Sequence, residues 1–243
     1  MSRPLCRDIS VVIPTWNEAH SIAATLRHLT KTGAPREIIV SDGGSSDGTL
    51  DIVQGLPLLG ETVVRGLSSP TRGRGAQMNF GAQHAHGEHL LFLHADTKPS
   101  PGWDATACYA LSQPRVAACF FRYAVDAQGL GFRILEVGTN LRVALFRLPY
   151  GDQGFCLRRE TFSQVGGFFE RPLMEDVDLL RRLRSVGRVV EAQGTAVTSA
   201  RRFQKEGLAK TIVKDWVLVA AFRLGVAPEL LRRFYQFGNR PTQ

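Results

Sequence analysis

The sequence predicts an α/β fold in which a mainly parallel central sheet is flanked by helices. Three observations carry that prediction. Short runs such as Ile9 to Ile13, Glu37 to Val40 and Leu90 to Leu93 are almost wholly apolar, as strands buried on both faces are. Segments with apolar residues at helical spacing separate these runs through the first part of the chain. Two acids, Asp42 and Asp96, stand just beyond such runs, at the edge where open α/β sheets bind ligands.

Ile9-Ser10-Val11-Val12-Ile13 is the first predicted strand, closed by Pro14, and a helix beginning near Glu18 carries Ile22, Leu26 and Leu29 on one face. Glu37 to Val40 follows as a strand, then a Gly/Ser turn and a short helix from Thr49 to Gln54. Glu61 to Val64 and Glu88 to Leu93 are the third and fourth strands, with a helix from Gly75 to His86 between them. Beyond Asp96 the rhythm loosens at Pro99 and Pro101. A helix from Trp103 to Leu111, a long strand from Val116 to Val125 and a helical stretch through Leu130, Ile134, Leu135, Val137, Leu141 and Leu145 are expected next. A strand from Phe155 to Leu157 and a helix from Asp176 to Arg184 complete the pattern. With no repeat or linker, residues 1–243 read as a single domain.

Composition narrows the partners. At 44% hydrophobic and 21% charged residues the chain is an ordinary globular one, which excludes disorder. Its formal charge of +8, in which arginine far outnumbers lysine, suits an anionic ligand or an acidic membrane face. Arg181, Arg182, Arg184 and Arg188, followed by Arg201-Arg202, lack interleaved aromatics, so a solvated helix face explains them and no nucleic acid is expected. Cys6, Cys108, Cys119 and Cys156 show no CxxC spacing and read as inert thiols in a reducing compartment. Met1 to Ile9 has no apolar signal region, and Trp216 to Phe222 falls far short of the roughly 20 residues of a spanning helix. A cytoplasmic protein is expected.

Six segments carry chemistry. In Pro14-Thr15-Trp16-Asn17-Glu18 a buried strand hands over to polar residues able to hold a base or ribose, or simply to start a helix. Asp42-Gly43-Gly44-Ser45-Ser46-Asp47 is a turn in which Asp42 can accept hydrogen bonds from a nucleoside, while Asp47 caps the next helix. Arg72, Arg74 and Gln77 open a helix whose free N–H groups suit a diphosphate, although exposed loop arginines are the plainer alternative. Asp96 follows a fully apolar strand, with His94 two residues earlier on the same face, and a divalent cation can bind there. Asp176, in Glu175-Asp176, can serve as a base, while Glu175 and Asp178 have structural reasons to sit in a helix's first turn. Before it, the loop with Asp152 and Gln153 can line an acceptor pocket.

Six segments in this order, the IPTWNE strand end, the SDGGSSDGT turn, RGAQMN, HADT, GDQGFCLRRETFSQVGGF and MEDVDLLRRLRSVGRV, resemble the family 2 glycosyltransferases, inverting enzymes with the GT-A fold. The resemblance covers about residues 8 to 205. It implies a GT-A (nucleotide-diphospho-sugar transferase) fold with residues 8–98 as the nucleotide-sugar half, 99–205 as the acceptor and catalytic half, and 206–243 as a helical tail. Thr15, Asn17, Glu18 and Asp42 would hold the nucleoside of a UDP-sugar, Arg72, Arg74 and Gln77 its diphosphate, and Asp96 a Mg²⁺ or Mn²⁺ cofactor. Asp176 would be the general base, with Asp152, Gln153 and Glu175 toward the acceptor. His94 stands where the family's DxD motif has its first acid, and Ser199 to Gln204 matches the QxxRW motif of processive synthases only faintly, so single transfer is implied.

Among family members the chain is most similar to short bacterial ones with a HADT segment, some of them similar to diaponeurosporenoate-type glycosyltransferases. That similarity implies a lipid or carotenoid-type acceptor, bearing a hydroxyl or carboxyl group. The tail from Thr211 to Tyr235, with basic Lys214, Arg223, Arg232 and Arg233, can either lie on a membrane surface or pack on the core. Two other functions fit the acids: a nucleotidyltransferase, which would want a glycine-rich, lysine-bearing loop after the first strand, and a non-catalytic nucleotide-sugar binder, which would release no UDP.

Overall fold

The computed structural model describes residues 8–171, 173–226 and 230–231. Cys6, Arg232, Arg233 and Tyr235 lie outside the described residues, as does much of the tail assigned to 206–243. The elements run β1 (Ile9–Thr15), α1 (Ile22–Thr32), β2 (Glu37–Asp42), α2 (Thr49–Gln54), β3 (Leu58–Leu59), β4 (Thr62–Ser68), α3 (Arg74–Gln83), β5 (His89–Phe92), β6 (Thr97–Pro99), α4 (Trp103–Ser112) and β7 (Val116–Asp126). They continue with α5 (Leu130–Phe146), a 3-10 turn (Gly151–Gln153), β8 (Phe155–Arg158), α6 (Arg159–Gln164), α7 (Glu175–Val186), β9 (Arg188–Ser199), α8 (Arg201–Glu206) and α9 (Leu208–Arg223).

The strands form one nine-stranded sheet in the order β3-β4-β2-β1-β5-β8-β7-β9-β6. The run β4-β2-β1-β5 is parallel throughout. Past β5 the sheet turns mixed, because β8 lies antiparallel to both β5 and β7 before β7 and β9 pair in parallel. Strand parity sorts the core. Val11, Ile13, Ile38, Val40 and Leu91 pack on one face with Ile22, Leu26, Leu29 and Trp103. Val12, Ile39, Leu90 and Phe92 pack on the other with Met78, Phe162, Phe168, Leu179 and Leu183. Successive side chains of a strand point to opposite faces, so wholly apolar strands serve two cores at once.

Two departures from the sequence reading have physical reasons. Pro14 does not close β1: pairing with β5 ends at Val12, so the missing N–H falls beyond that ladder and the strand continues to Thr15. The long β9 was not expected, since its half-polar residues and Gly194, at φ 118°, blur the alternation of a strand. Cys119 and Cys156 are buried free thiols as expected, whereas Cys108 is disulfide-bonded.

Candidate active site

Parallel strands end together, and here Thr15, Asp42 and Ser68 lie in register at the ends of β1, β2 and β4. Thr15 Oγ1 donates to Asp42 Oδ1 at 2.9 Å. The same oxygen accepts from Ser45 Oγ at 2.5 Å, while Asp42 Oδ2 accepts from the N–H groups of Gly44 and Ser45 at 3.0 and 2.8 Å. Four donors thus occupy a carboxylate that offers about four acceptor positions. Asp42 is buried and shapes the turn that follows β2.

That turn is knitted to the loop after β1. Asn17, at φ 56°, donates its N–H to Ser45 Oγ at 2.8 Å and accepts from the Ser46 N–H at 2.9 Å. The N–H groups of Glu18 and Ala19 donate to Thr49 Oγ1 and Asp47 Oδ2 at 2.8 and 3.0 Å. Asp47 also accepts from the Thr49 N–H at 3.1 Å, and hydrogen bonding from Thr49 holds its carboxyl below the usual range, although the N-cap residue of α2 is Gly48 rather than Asp47. Beneath both loops, Gln77 Nε2 donates to the carbonyls of Thr15 and Ser41, each at 2.7 Å. Gln77 is buried, so it belongs to the framework under the site. A Cβ on Gly43 would lie 2.9 Å from Gln77 Oε1, which explains a glycine there.

Three cations reach this edge. Arg72 stacks 3.5 Å over the half-exposed Trp16 ring. Arg74 Nε lies 2.8 Å from Oε1 of the buried Glu175, which ties α3 to the start of α7. Arg201, at the start of α8, lies 3.4 Å from Glu18 Oε2. Asp96 belongs to the same cluster: burial first, and then the Glu18 charge, push its carboxyl up, while Arg201 opposes. Its turn is pinned from α1, where Thr25 Oγ1 donates to the Ala95 carbonyl at 2.6 Å.

His94 and Asp176 meet across a glycine. A Cβ on Gly151 would lie 3.1 Å from His94 Nε2 and 3.6 Å from Asp176 Oδ2, and the Gly151 N–H donates to that oxygen at 2.9 Å. Asp176 Oδ1 accepts from the Val177 N–H at 2.8 Å, and the helix start favours negative charge there. Desolvation, aided by Arg74, pushes His94 down to about 3, so its imidazole is neutral at physiological pH. Gln153 Nε2 donates to the Phe121 carbonyl at 3.0 Å and fixes the turn. Burial pushes Asp152 up to about 6, opposed by Arg142, which stacks 3.7 Å over Tyr150, and reinforced by Asp176. Asp152 Oδ1 and Glu175 Oε2 are buried and have no hydrogen-bond partner among the described residues. Burial likewise raises Glu175.

The model of glycosyl transferase family 2 matches residues 10–169, well over half of the chain. The chain belongs to glycosyl transferase family 2. A PGL/p-HBAD biosynthesis glycosyltransferase of Mycobacterium bovis is 39% identical over 232 residues, covering 89% of this chain and 86% of that protein. Against two other curated glycosyltransferases the chain spans only 32% and 50% of their length. A Pyrobaculum calidifontis mannosyltransferase, solved with GDP-Man and Mn²⁺, superposes at TM-score 0.64 and 22% identity, over 91% of this chain and 66% of that one. Staphylococcus aureus TarS (1–349), solved with UDP, superposes at TM-score 0.62 and 19% identity, over 79% and 60%. The family 2 chain thus has the GT-A fold.

The fold brings Thr15 and Asp42 together at the strand ends with Asn17 against the turn after β2, sets Asp96 and Arg201 near Glu18, puts His94 and Asp176 on either side of Gly151, and ties Glu175 to Arg74. Sequence reasoning missed Arg201, taken for part of a solvated helix face, and Arg142, and it read Gly151 only as part of the loop with Asp152 and Gln153. The faint likeness of Ser199 to Gln204 to the QxxRW motif was the one signal for Arg201.

Proposed function

We propose that this family 2 member transfers a sugar, with inversion, from a nucleotide-diphospho-sugar, a UDP-sugar, to a hydroxyl or carboxyl of an acceptor on a lipid or carotenoid-type molecule. The observation that supports it most is the meeting of His94 and Asp176 at Gly151, which suits a base beside the strand end where the donor's diphosphate would lie. Residues 8–98 would then hold the donor, and 99–205 the acceptor and the base. Thr15, Asn17, Glu18 and the turn organised by Asp42 frame the nucleoside. Arg72, Arg201 and the α3 start, with Arg74, face its diphosphate.

A divalent cation fits the acids. Among the described residues no group of three or more His, Cys, Asp or Glu could hold one alone. Asp96, however, is a carboxylate that burial and Glu18 disfavour as an anion, and a cation would relieve that. Asp96, with neutral His94 beside it, would hold Mg²⁺ or Mn²⁺, which would supply charge neutralisation for the departing nucleotide. The GDP-Man and Mn²⁺ of the Pyrobaculum enzyme, and the UDP of TarS, support a nucleotide-sugar and metal reading.

Asp176 takes the acceptor's proton as its oxygen attacks the anomeric carbon, the sugar–phosphate bond breaks, and the pair of electrons leaves with the nucleotide diphosphate. The Gly151 N–H fixes the carboxylate for that task. Glu175, held by Arg74, and Asp152 and Gln153 line the acceptor side. A cytoplasmic location, with peripheral contact to the inner membrane face through the tail from residue 206, belongs to the same reading. Among the described residues no helix is long and apolar enough to cross a membrane.

The test is Asp176→Asn. Transfer should fall by about 10²- to 10⁴-fold while affinity for the UDP-sugar stays near that of the parent. Equal rates in variant and parent would sink the assignment.

A further inference from the structure

Helix α5 is a seventeen-residue helix with an unusual outer face. Leu130, Ile134, Val137, Leu141 and Leu145 are 54% to 78% exposed. They recur at helical spacing and form one stripe. The helix cannot roll to bury them. On its inner side Asn140 Oδ1 accepts from the Tyr123 N–H at 3.0 Å and its Nδ2 donates to the Tyr123 carbonyl at 2.9 Å. Glu136 Oε1 accepts from the Val125 N–H at 2.8 Å. These side chains satisfy the part of β7 that extends past its pairing with β8.

The neighbouring α9 repeats the feature, with Val213, Trp216 and Val217 51% to 62% exposed. Helix α5 touches α9 where a Cβ on Gly131 would strike Leu208, and it touches the intervening α8 where Phe132 meets Phe203 edge to face at 6.5 Å between centroids. Charge around them is one-sided. The acids of α5, α8 and α9 are Glu136, Glu206 and Asp215, and each faces a basic partner, Arg133, Arg202 or Lys214. Arg147, Lys205 and Lys210 stand exposed nearby.

We propose that the outer faces of α5 and α9 form a docking surface for an anionic lipid bilayer. An apolar stripe rimmed by cations matches the acyl boundary and the headgroup charge of such a surface. A second copy would fit it poorly, since a two-fold interface would set that basic rim against itself. The placement has a purpose for the site. The chain leaves α5 at Arg147 and enters the Gly151–Gln153 turn, so a docked α5 holds the acceptor side of the site against the bilayer, where a lipid acceptor resides. That last step rests on the glycosyl-transfer reading; the docking does not.

Flotation of the full chain with phosphatidylcholine vesicles containing about a quarter phosphatidylglycerol, or none, tests it. The parent should float with the anionic vesicles and much less with the neutral ones. Ile134→Glu with Leu141→Glu should lower the bound fraction by about 10-fold or more, and the milder Ile134→Gln with Leu141→Gln should lower it in the same direction. UDP-sugar hydrolysis in lipid-free buffer should be the same for all three proteins. Hydrolysis reads the glycosyl-transfer proposal separately and reports folding. Unchanged flotation of the variants, no flotation of the parent, or a parent dimer that the variants split into monomers would overturn the proposal.

Discussion

The two loop clusters that meet at the sheet edge are built on opposite plans. Those after β1 and β2 are closed on themselves: Asp42, Asp47, Asn17 and Gln77 each use their polar atoms on neighbouring backbone. The cluster around Gly151 and the start of α7 is left open, with buried oxygens of Asp152 and Glu175 unpartnered and two carboxyls pushed up by burial. A site of fixed shape suits a ligand part shared across many reactions, and a site with unsatisfied polar groups suits a part it must grip during chemistry. The contrast implies that equal changes on the two sides should register differently, as stability on one and as turnover on the other.

Asp42→Ala should have the largest effect. Two backbone N–H groups and two hydroxyls would lose one buried acceptor, so the chain should lose about 3 kcal/mol of stability, read by urea unfolding. A near-normal midpoint would mean that the turn is held by something else, and the plan attributed to the first half would fail.

Alanine at two glycines, one in each cluster, should act in opposite ways. Gly43→Ala meets Gln77 Oε1 at 2.9 Å, and Gln77 is pinned by two carbonyls, so unfolding should come about 1–2 kcal/mol earlier. Gly151→Ala meets His94 Nε2 at the looser 3.1 Å, on a turn whose φ needs no glycine. Its stability should barely move, but displacing Asp176 from its N–H partner should slow transfer by about 10-fold. The reverse assignment of stability and rate in these two variants would erase the distinction between the clusters.

Burial decides which elements the sequence reveals. Apolar β1, β2 and β5 announce themselves because each serves two cores, and the acids just past them announce the edge. The half-polar β9 hides because it is partly exposed and broken by Gly194. Within the site, Asp176 and Asp96 stand in recognisable local patterns, whereas the roles of Arg201 and Gly151 exist only through partners far away in the chain, Glu18, His94 and Asp176. No local periodicity encodes a contact of that range. Gln77 shows the converse: a residue type suited to a ligand, at a helix start suited to a ligand, turns inward because two strand-end carbonyls need a donor.

The smallest expected effect is the most specific to the open cluster. Asp152 is pushed up to about 6 by burial, against an ordinary aspartate near 3.8. The folded chain therefore holds this proton more tightly than the unfolded one between those two values. Its stabilising contribution is full below about pH 4 and is lost as the pH rises through about 6, which leaves a half-buried, poorly solvated anion at neutral pH. Asp152→Asn removes that anion at little change in shape. The variant should be more stable than its parent at pH 7, by roughly 1 kcal/mol once solvent screening of this partly exposed residue is allowed for, and the gap should close as the pH falls toward 4. Melting temperatures at several pH values measure it. A gap that is constant with pH, or of the opposite sign, would mean that Arg142 already compensates the charge and that this side is as closed as the first.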